Sequence, residues 1–249
     1  MAMDMVLQDP LPDAPRPLAF AVVRVPFFLE PDYDETAVYV ETNRERLIKK
    51  WGGPEGWERQ KSRHGLKERG QKAGIPHFNL DRLAANTMAS HRLIQYLGKT
   101  YGLAISEAIY DCLNVYYFVD GHSLNDRPRL ARVVADRLPA LWPERPHQST
   151  PPPTADQLLD FLNSDTGRDE IETAIRALHE LNIHSIPLFV VEGQTAVDGA
   201  AQPEVFYRIF RDIEQRGTLA GGPIFGDILG VSPSIIQQAS HGVPLAKAA

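Results

Sequence analysis

Ser185-Ile186-Pro187-Leu188-Phe189-Val190-Val191, then Glu192-Gly193, then Gln194-Thr195-Ala196-Val197, is the stretch on which the fold reading turns. Two runs rich in β-branched and aromatic residues flank a glycine. That pattern predicts a hairpin with strands over 188–191 and 194–197 joined by a two-residue Glu-Gly turn. Immediately upstream, residues 168–182 place Ile171, Ile175, Leu178 and Asn182 at i, i+4, i+7 and i+11, the stripe of an amphipathic helix. Immediately downstream, residues 203–215 line up Val205, Phe206, Ile209, Phe210 and Ile213 toward a core, and Gly217 ends the helix. The local unit is therefore helix, hairpin, helix.

Further upstream the period stays helical for a long way. Thr154 is placed to cap a helix over 154–163. Residues 139–153 are proline-rich and read as a loop. Helices are predicted over 127–138, 106–119 and 86–101. A further helix runs from Pro54 to about 72, and another over 36–51 stops at Gly52-Gly53. Residues 18–29 (LAFAVVRVPFFL) are almost continuously apolar and too few for a membrane span, so they read as one buried strand. Residues 1–17 carry four prolines between 10 and 17 and read as a loose lead-in. Residues 218–249 are rich in Gly, Pro, Ser and Ala, with an apolar patch at 224–231, and read as a partly ordered tail. One strand far upstream of a helix–hairpin–helix ending is the second half of a thioredoxin-type α/β sheet, with the intervening helices as an insertion.

Composition narrows the function classes. The 249 residues carry 26 Lys+Arg against 32 Asp+Glu, a formal charge of −6, which argues against nucleic acid as a partner. With 43% hydrophobic residues, a packed core is expected. No window approaches the roughly 18 apolar residues of a membrane helix, so no membrane partner is expected. No signal-peptide pattern opens the chain, and a cytoplasmic location is assumed. A single cysteine, Cys112, excludes an intrachain disulfide. The eight histidines show no metal-ligand spacing.

Three segments carry a family resemblance. They are Arg24-Val25-Pro26-Phe27-Phe28-Leu29-Glu30-Pro31, Asn86-Thr87-Met88-Ala89-Ser90-His91-Arg92-Leu93, and the 185–191 run with Ala196-Val197-Asp198-Gly199-Ala200-Ala201-Gln202-Pro203-Glu204. In order and spacing they resemble the DsbA-like superfamily, FrnE-like branch, over about residues 18–216. Kappa-type glutathione transferases and 2-hydroxychromene-2-carboxylate isomerases are relatives of that group. The resemblance implies an α/β, thioredoxin-like fold, incomplete at the N-terminus, with a large all-helical insertion. It divides the chain into a lead-in (1–17), sheet and helix (18–35 and 183–216), helical insertion (36–182) and extension (217–249).

The resemblance also implies site residues. Pro187 after Ile186 takes the place of the family's cis-proline, so Ser185, Ile186 and Pro187 are candidate substrate contacts. His91 lies on a helix that in the family packs over the active end of the sheet. It is the candidate catalytic proton relay, with a carbonyl-bonded structural histidine as the plainer alternative. Asn86 and Thr87 are candidate binders that serve equally as helix caps. The family's Cys-x-x-Cys, and the strand–helix unit that bears it, have no counterpart in residues 1–17. Cys112 sits mid-helix beside Asp111, where burial and an acidic neighbour raise a thiol pKa, so it is not read as catalytic.

The expected protein has lost dithiol chemistry. It binds, isomerises or cyclises an organic small molecule of secondary-metabolism type, in the cleft between sheet and helices. The alternatives are a glutathione-dependent transferase or isomerase, with glutathione as its cofactor, a disulfide oxidoreductase whose Cys-x-x-Cys segment is missing from the sequence, and a non-catalytic dimeric scaffold. The unpaired edge of 18–29 offers a homodimer contact, unless Met3 to Leu7 fills it as a strand.

Overall fold

The computed structural model describes residues 2–72, 74, 75, 77–142, 151–199, 201–238, 241 and 242. The elements in chain order are α1 (Ala2–Gln8), β1 (Ala19–Phe20), α2 (Asn43–Lys50), α3 (Pro54–His64), α4 (Leu66–Lys72), α5 (Met88–Tyr101) and α6 (Leu103–Asn114). A π-helical turn (Val115–Val119) continues α6. Then come α7 (Arg127–Leu141), α8 (Ala155–Asn163), α9 (Arg168–Glu180), β2 (Leu188–Val191), β3 (Thr195–Asp198), α10 (Pro203–Arg216), α11 (Pro233–Gln237) and β4 (His241–Gly242). Two compact units result. One comprises Met1–Phe27, Ile94–Glu107 and Gly167–Ala249, and the other Phe28–Leu93 and Ala108–Thr166. This division differs from a split at 36 and 182: α9, the end of α5 and the start of α6 belong with the hairpin.

The unit that contains the hairpin is built from distant segments. Its core joins Leu103, Ala174 and Leu178 to Phe225, Leu229 and Val231. Phe225, Leu229 and Val231, in the segment expected as a partly ordered tail, are thus core residues, clustered with Leu103 of α6 and Ala174 and Leu178 of α9. The expected strand over 18–29 shrinks to β1, paired antiparallel with β4 through Ala19↔Gly242 and Phe20↔His241. Within that run Val23, Val25 and Phe27 pack on the core at period two. Burial of that face needs no ladder, and among the described residues none forms there.

The lead-in contains α1 rather than loose chain, so Met3 to Leu7 form helix and not a gap-filling strand. Ala, Met and Leu are strong helix formers, Asp4 sits in the first turn, and Val6 is fully buried. The segment after it is tied to α10. Leu11 N–H donates to Glu214 Oε1 at 2.9 Å, Arg211 Nη1 donates to Glu214 Oε2 at 2.5 Å, and Phe20 stands edge-on to Phe210 at 4.8 Å. Pro15 covers Gly217, which closes α10 at φ +65°; a Cβ there would lie 2.6 Å from the proline ring. Val205, expected to face the core, is exposed, since the buried stripe of α10 is Phe210, Ile213 and Glu214.

The helical unit is held by side chains that satisfy helix ends. The helix expected over 36–51 starts only at Asn43, behind a Thr42/Glu45 capping box. Ahead of it, Asn125 Nδ2 pins the carbonyls of Asp34 and Ala37 at 2.9 Å each, which holds that chain outside a helix. The expected 54–72 helix breaks at Gly65 (φ +53°) into α3 and α4. Thr154 caps α8 with Gln157 as predicted. The Pro-rich loop expected over 139–153 begins later, since α7 runs through Pro139 to Leu141, and residues 143–150 lie outside the described residues.

Candidate functional site

The hairpin forms where the sequence placed it, with one shift. Val191 pairs with Thr195, so the connection is three residues, 192–194, and β3 begins one residue later than expected. Glu192 and Gly193 both take positive φ (47° and 73°), which sets the turn. A Cβ at Gly193 would meet the Gly222 carbonyl oxygen at 2.1 Å, so the position admits only glycine. The Glu192 carboxylate accepts from Ala220 N–H (2.8 Å) and Arg216 Nη2 (2.8 Å). These bonds hold its carboxyl below the usual carboxylate range.

The Ile186–Pro187 peptide bond is cis. Ser185, Ile186 and Pro187 are exposed, and the Pro187 carbonyl accepts from Gly199 N–H at 2.9 Å. Phe189 packs edge-on to Phe206 at 4.9 Å yet remains 42% exposed. These three candidate contacts thus share one accessible loop.

The other candidates lie in the helical unit. Asn86 is spent structurally. Its Oδ1 caps α5 by accepting from Met88 N–H (2.9 Å), and its Nδ2 donates to the carbonyls of Pro31 (3.3 Å) and Tyr33 (2.9 Å). It is 4% exposed, with its amide committed to these bonds. The Thr87 carbonyl accepts from His91 N–H (2.9 Å) and Ser90 Oγ (3.0 Å), the first turn of α5. His91 is half-buried, with its ring edge-on to Phe28 at 5.1 Å. The neighbouring Arg92, passed over as a motif letter, is 1% exposed. Its guanidinium donates to the carbonyls of Phe161 (3.0 Å), Leu162 (3.4 Å), Ser164 (2.6 Å) and Thr166 (2.9 Å), and so caps the C-terminus of α8.

Cys112 is half-buried on α6, and burial pushes its thiol up, with Arg137 pulling down and Asp120 adding to the rise. The thiol lines a pocket of about 440 Å³ together with Tyr116, Asp120, His122, Arg129 and Arg137. Tyr116 lies in the π-helical turn. Its hydroxyl donates to the Ser123 carbonyl (3.1 Å), and burial pushes its pKa up to about 12. Arg129 Nη2 lies 2.8 Å from His122 Nε2. Guanidinium only donates, so in this contact the ring nitrogen is the acceptor. Sequence reasoning missed this cluster. Its signal was spacing: Ala108, Asp111, Cys112 and Val115 follow i, i+3, i+4, i+7, and Arg129, Val133 and Arg137 follow i, i+4, i+8.

A cis-proline loop opening a hairpin flanked by α9 and α10, together with a separate helical unit, fits a thioredoxin-like fold of the DsbA type with a large helical insertion. A solved structure, a probable DsbA oxidoreductase from Streptomyces coelicolor, is similar over 87% of this chain and 82% of that one, with a TM-score of 0.62 and 21% sequence identity. At that identity the likeness establishes the fold. No family model and no curated protein match the chain. Among the described residues, no helix is long and apolar enough to cross a membrane.

Proposed function

We propose that this DsbA-fold chain does not carry out dithiol exchange by itself and binds an organic small molecule, with isomerisation or cyclisation as its reaction class. Cys112 carries the reading. Exchange needs a thiolate and a resolving thiol. The one cysteine here sits mid-helix on a pocket wall, with burial favouring the protonated thiol. In a disulfide-reduction assay with glutathione as electron donor, the protein is expected at background. Reduction above background that Cys112→Ser abolishes would overturn the reading. For the binding half, aromatic polyketide-like ligands are titrated against wild type and His91→Ala. Bound ligand turned over by wild type alone supports His91 as the proton carrier, and identical behaviour of the two removes it.

A second reading, a homodimer through a sheet edge, is favoured by one observation. Among the described residues β2 pairs only with β3, and Ile186, Phe189 and Val190 stay exposed at 48%, 42% and 38%. β2 thus presents an edge unpaired among the described residues. Light scattering should give a dimer that Val190→Lys converts to monomer; a wild-type monomer ends this reading.

A further inference from the structure

We propose that the pocket in the helical unit binds a small zwitterion with an apolar side chain, the chemical class of the free α-amino acids, over the Cys112 thiol. The inference rests on the reading that the protein binds an organic small molecule, and adds a place and a charge pattern. Two helical faces bound the pocket. Asp111, Cys112 and Val115 come from α6 and the residue after it, and Arg129, Val133 and Arg137 from α7. Its volume of about 440 Å³ lies in the range that holds small ligands.

The walls carry both signs of charge. Asp111 and Asp120 face the same space as Arg129 and Arg137, and none of the four forms an ion pair among the described residues. An anion would meet two aspartates there, and a cation two arginines. A zwitterion gives each sign its complement: carboxylate to a guanidinium fork, ammonium to a carboxylate. His122 holds Arg129 through the 2.8 Å contact. Val115, Tyr116 and Val133 supply an apolar wall for the side chain. The π-helical turn at Val115–Val119, where Asp120 N–H reaches back to the Val115 carbonyl (3.0 Å), sets Asp120 at the pocket; such turns concentrate at functional sites.

The test is protection of Cys112 in the full chain from alkylation by iodoacetamide, read by mass spectrometry. The probes are L-phenylalanine, its N-acetyl derivative (anion only) and its amide (cation only). Phenylalanine is expected to slow alkylation by the factor 1 + [L]/Kd, about tenfold at a ninefold excess over Kd. The two analogues are expected to give no protection. Arg137→Gln and Asp120→Asn should each remove the effect of phenylalanine with unchanged circular dichroism. Protection by either analogue as strong as by phenylalanine, or protection that survives in both variants, overturns zwitterion recognition and leaves a small-molecule pocket standing. No protection by any probe overturns the inference, and the polyketide-like titration then decides the broader reading independently.

Discussion

Arg92 in the helical unit and Glu214 in the hairpin unit are both 1% exposed, and each unit is organised around its buried charge. Arg92 sits on α5 and reaches the C-terminal end of α8, giving hydrogen bonds to four carbonyls between 161 and 166. Glu214 sits on α10 and takes one backbone N–H from the N-terminal segment and one guanidinium N–H from Arg211. The first charge finishes a helix that already has its own N-cap. The second fastens a strap, α1 and the turn that follows it, which is also held to α10 by Arg211 on Asp9 and by Pro15 over Gly217. A buried charge costs several kcal/mol of desolvation unless each of its hydrogen-bonding groups is met. Both sites meet that demand, the one within a local helical neighbourhood and the other across about 200 residues of chain.

The contrast predicts a ranked series. Arg92→Met should be the most damaging, since it leaves the carbonyls at the end of α8 without donors: about 3–5 kcal/mol by urea denaturation. A loss under about 1 kcal/mol would mean that water replaces the guanidinium. Glu214→Gln should cost about 2 kcal/mol, because an amide can accept from only one of its two donors. Amide exchange should rise in residues 2–11 while α8 keeps its protection. Uniform loss across both units would break the distinction between strap and cap.

The smallest expected effect is at Lys99–Glu170, a half-exposed pair at 2.7 Å in the hairpin unit. Lys99→Met should cost about 0.5 kcal/mol at pH 7. The Lys99 hydrogen bond holds the Glu170 carboxyl below its ordinary value. A depressed carboxylate contributes stability above its unfolded pKa, near 4.3, and loses it as pH falls through the folded value. Wild type and variant should therefore converge in acid. A gap that persists at pH 2 would assign the effect to packing of the lysine stem.

Elements with local causes were legible. The hairpin, α9, α10 and the Thr154 cap follow from spacing and capping chemistry within about fifteen residues. The cis bond at Pro187 agrees with what the family resemblance implied. Asn86 was legible as a capping type, and its side chain makes the cap bond to Met88 and two further bonds to carbonyls. The helix expected over 36–51 begins late because the Thr42-x-x-Glu45 start signal lies inside that range. The charged pocket was missed because its members lie on the polar faces of α6 and α7, where a charge ordinarily means only contact with water.

The sequence by itself determined α8, α9, α10 and the hairpin between β2 and β3, because capping, glycine backbone freedom and apolar period act between near neighbours. Only the tertiary structure decided that Phe225, Leu229 and Val231 are core, that Val23, Val25 and Phe27 pack at period two outside any ladder, and that Arg92, Glu214 and the Cys112 pocket find their partners. Each of those outcomes depends on which distant surface closes over a segment, and the local chain does not specify that surface.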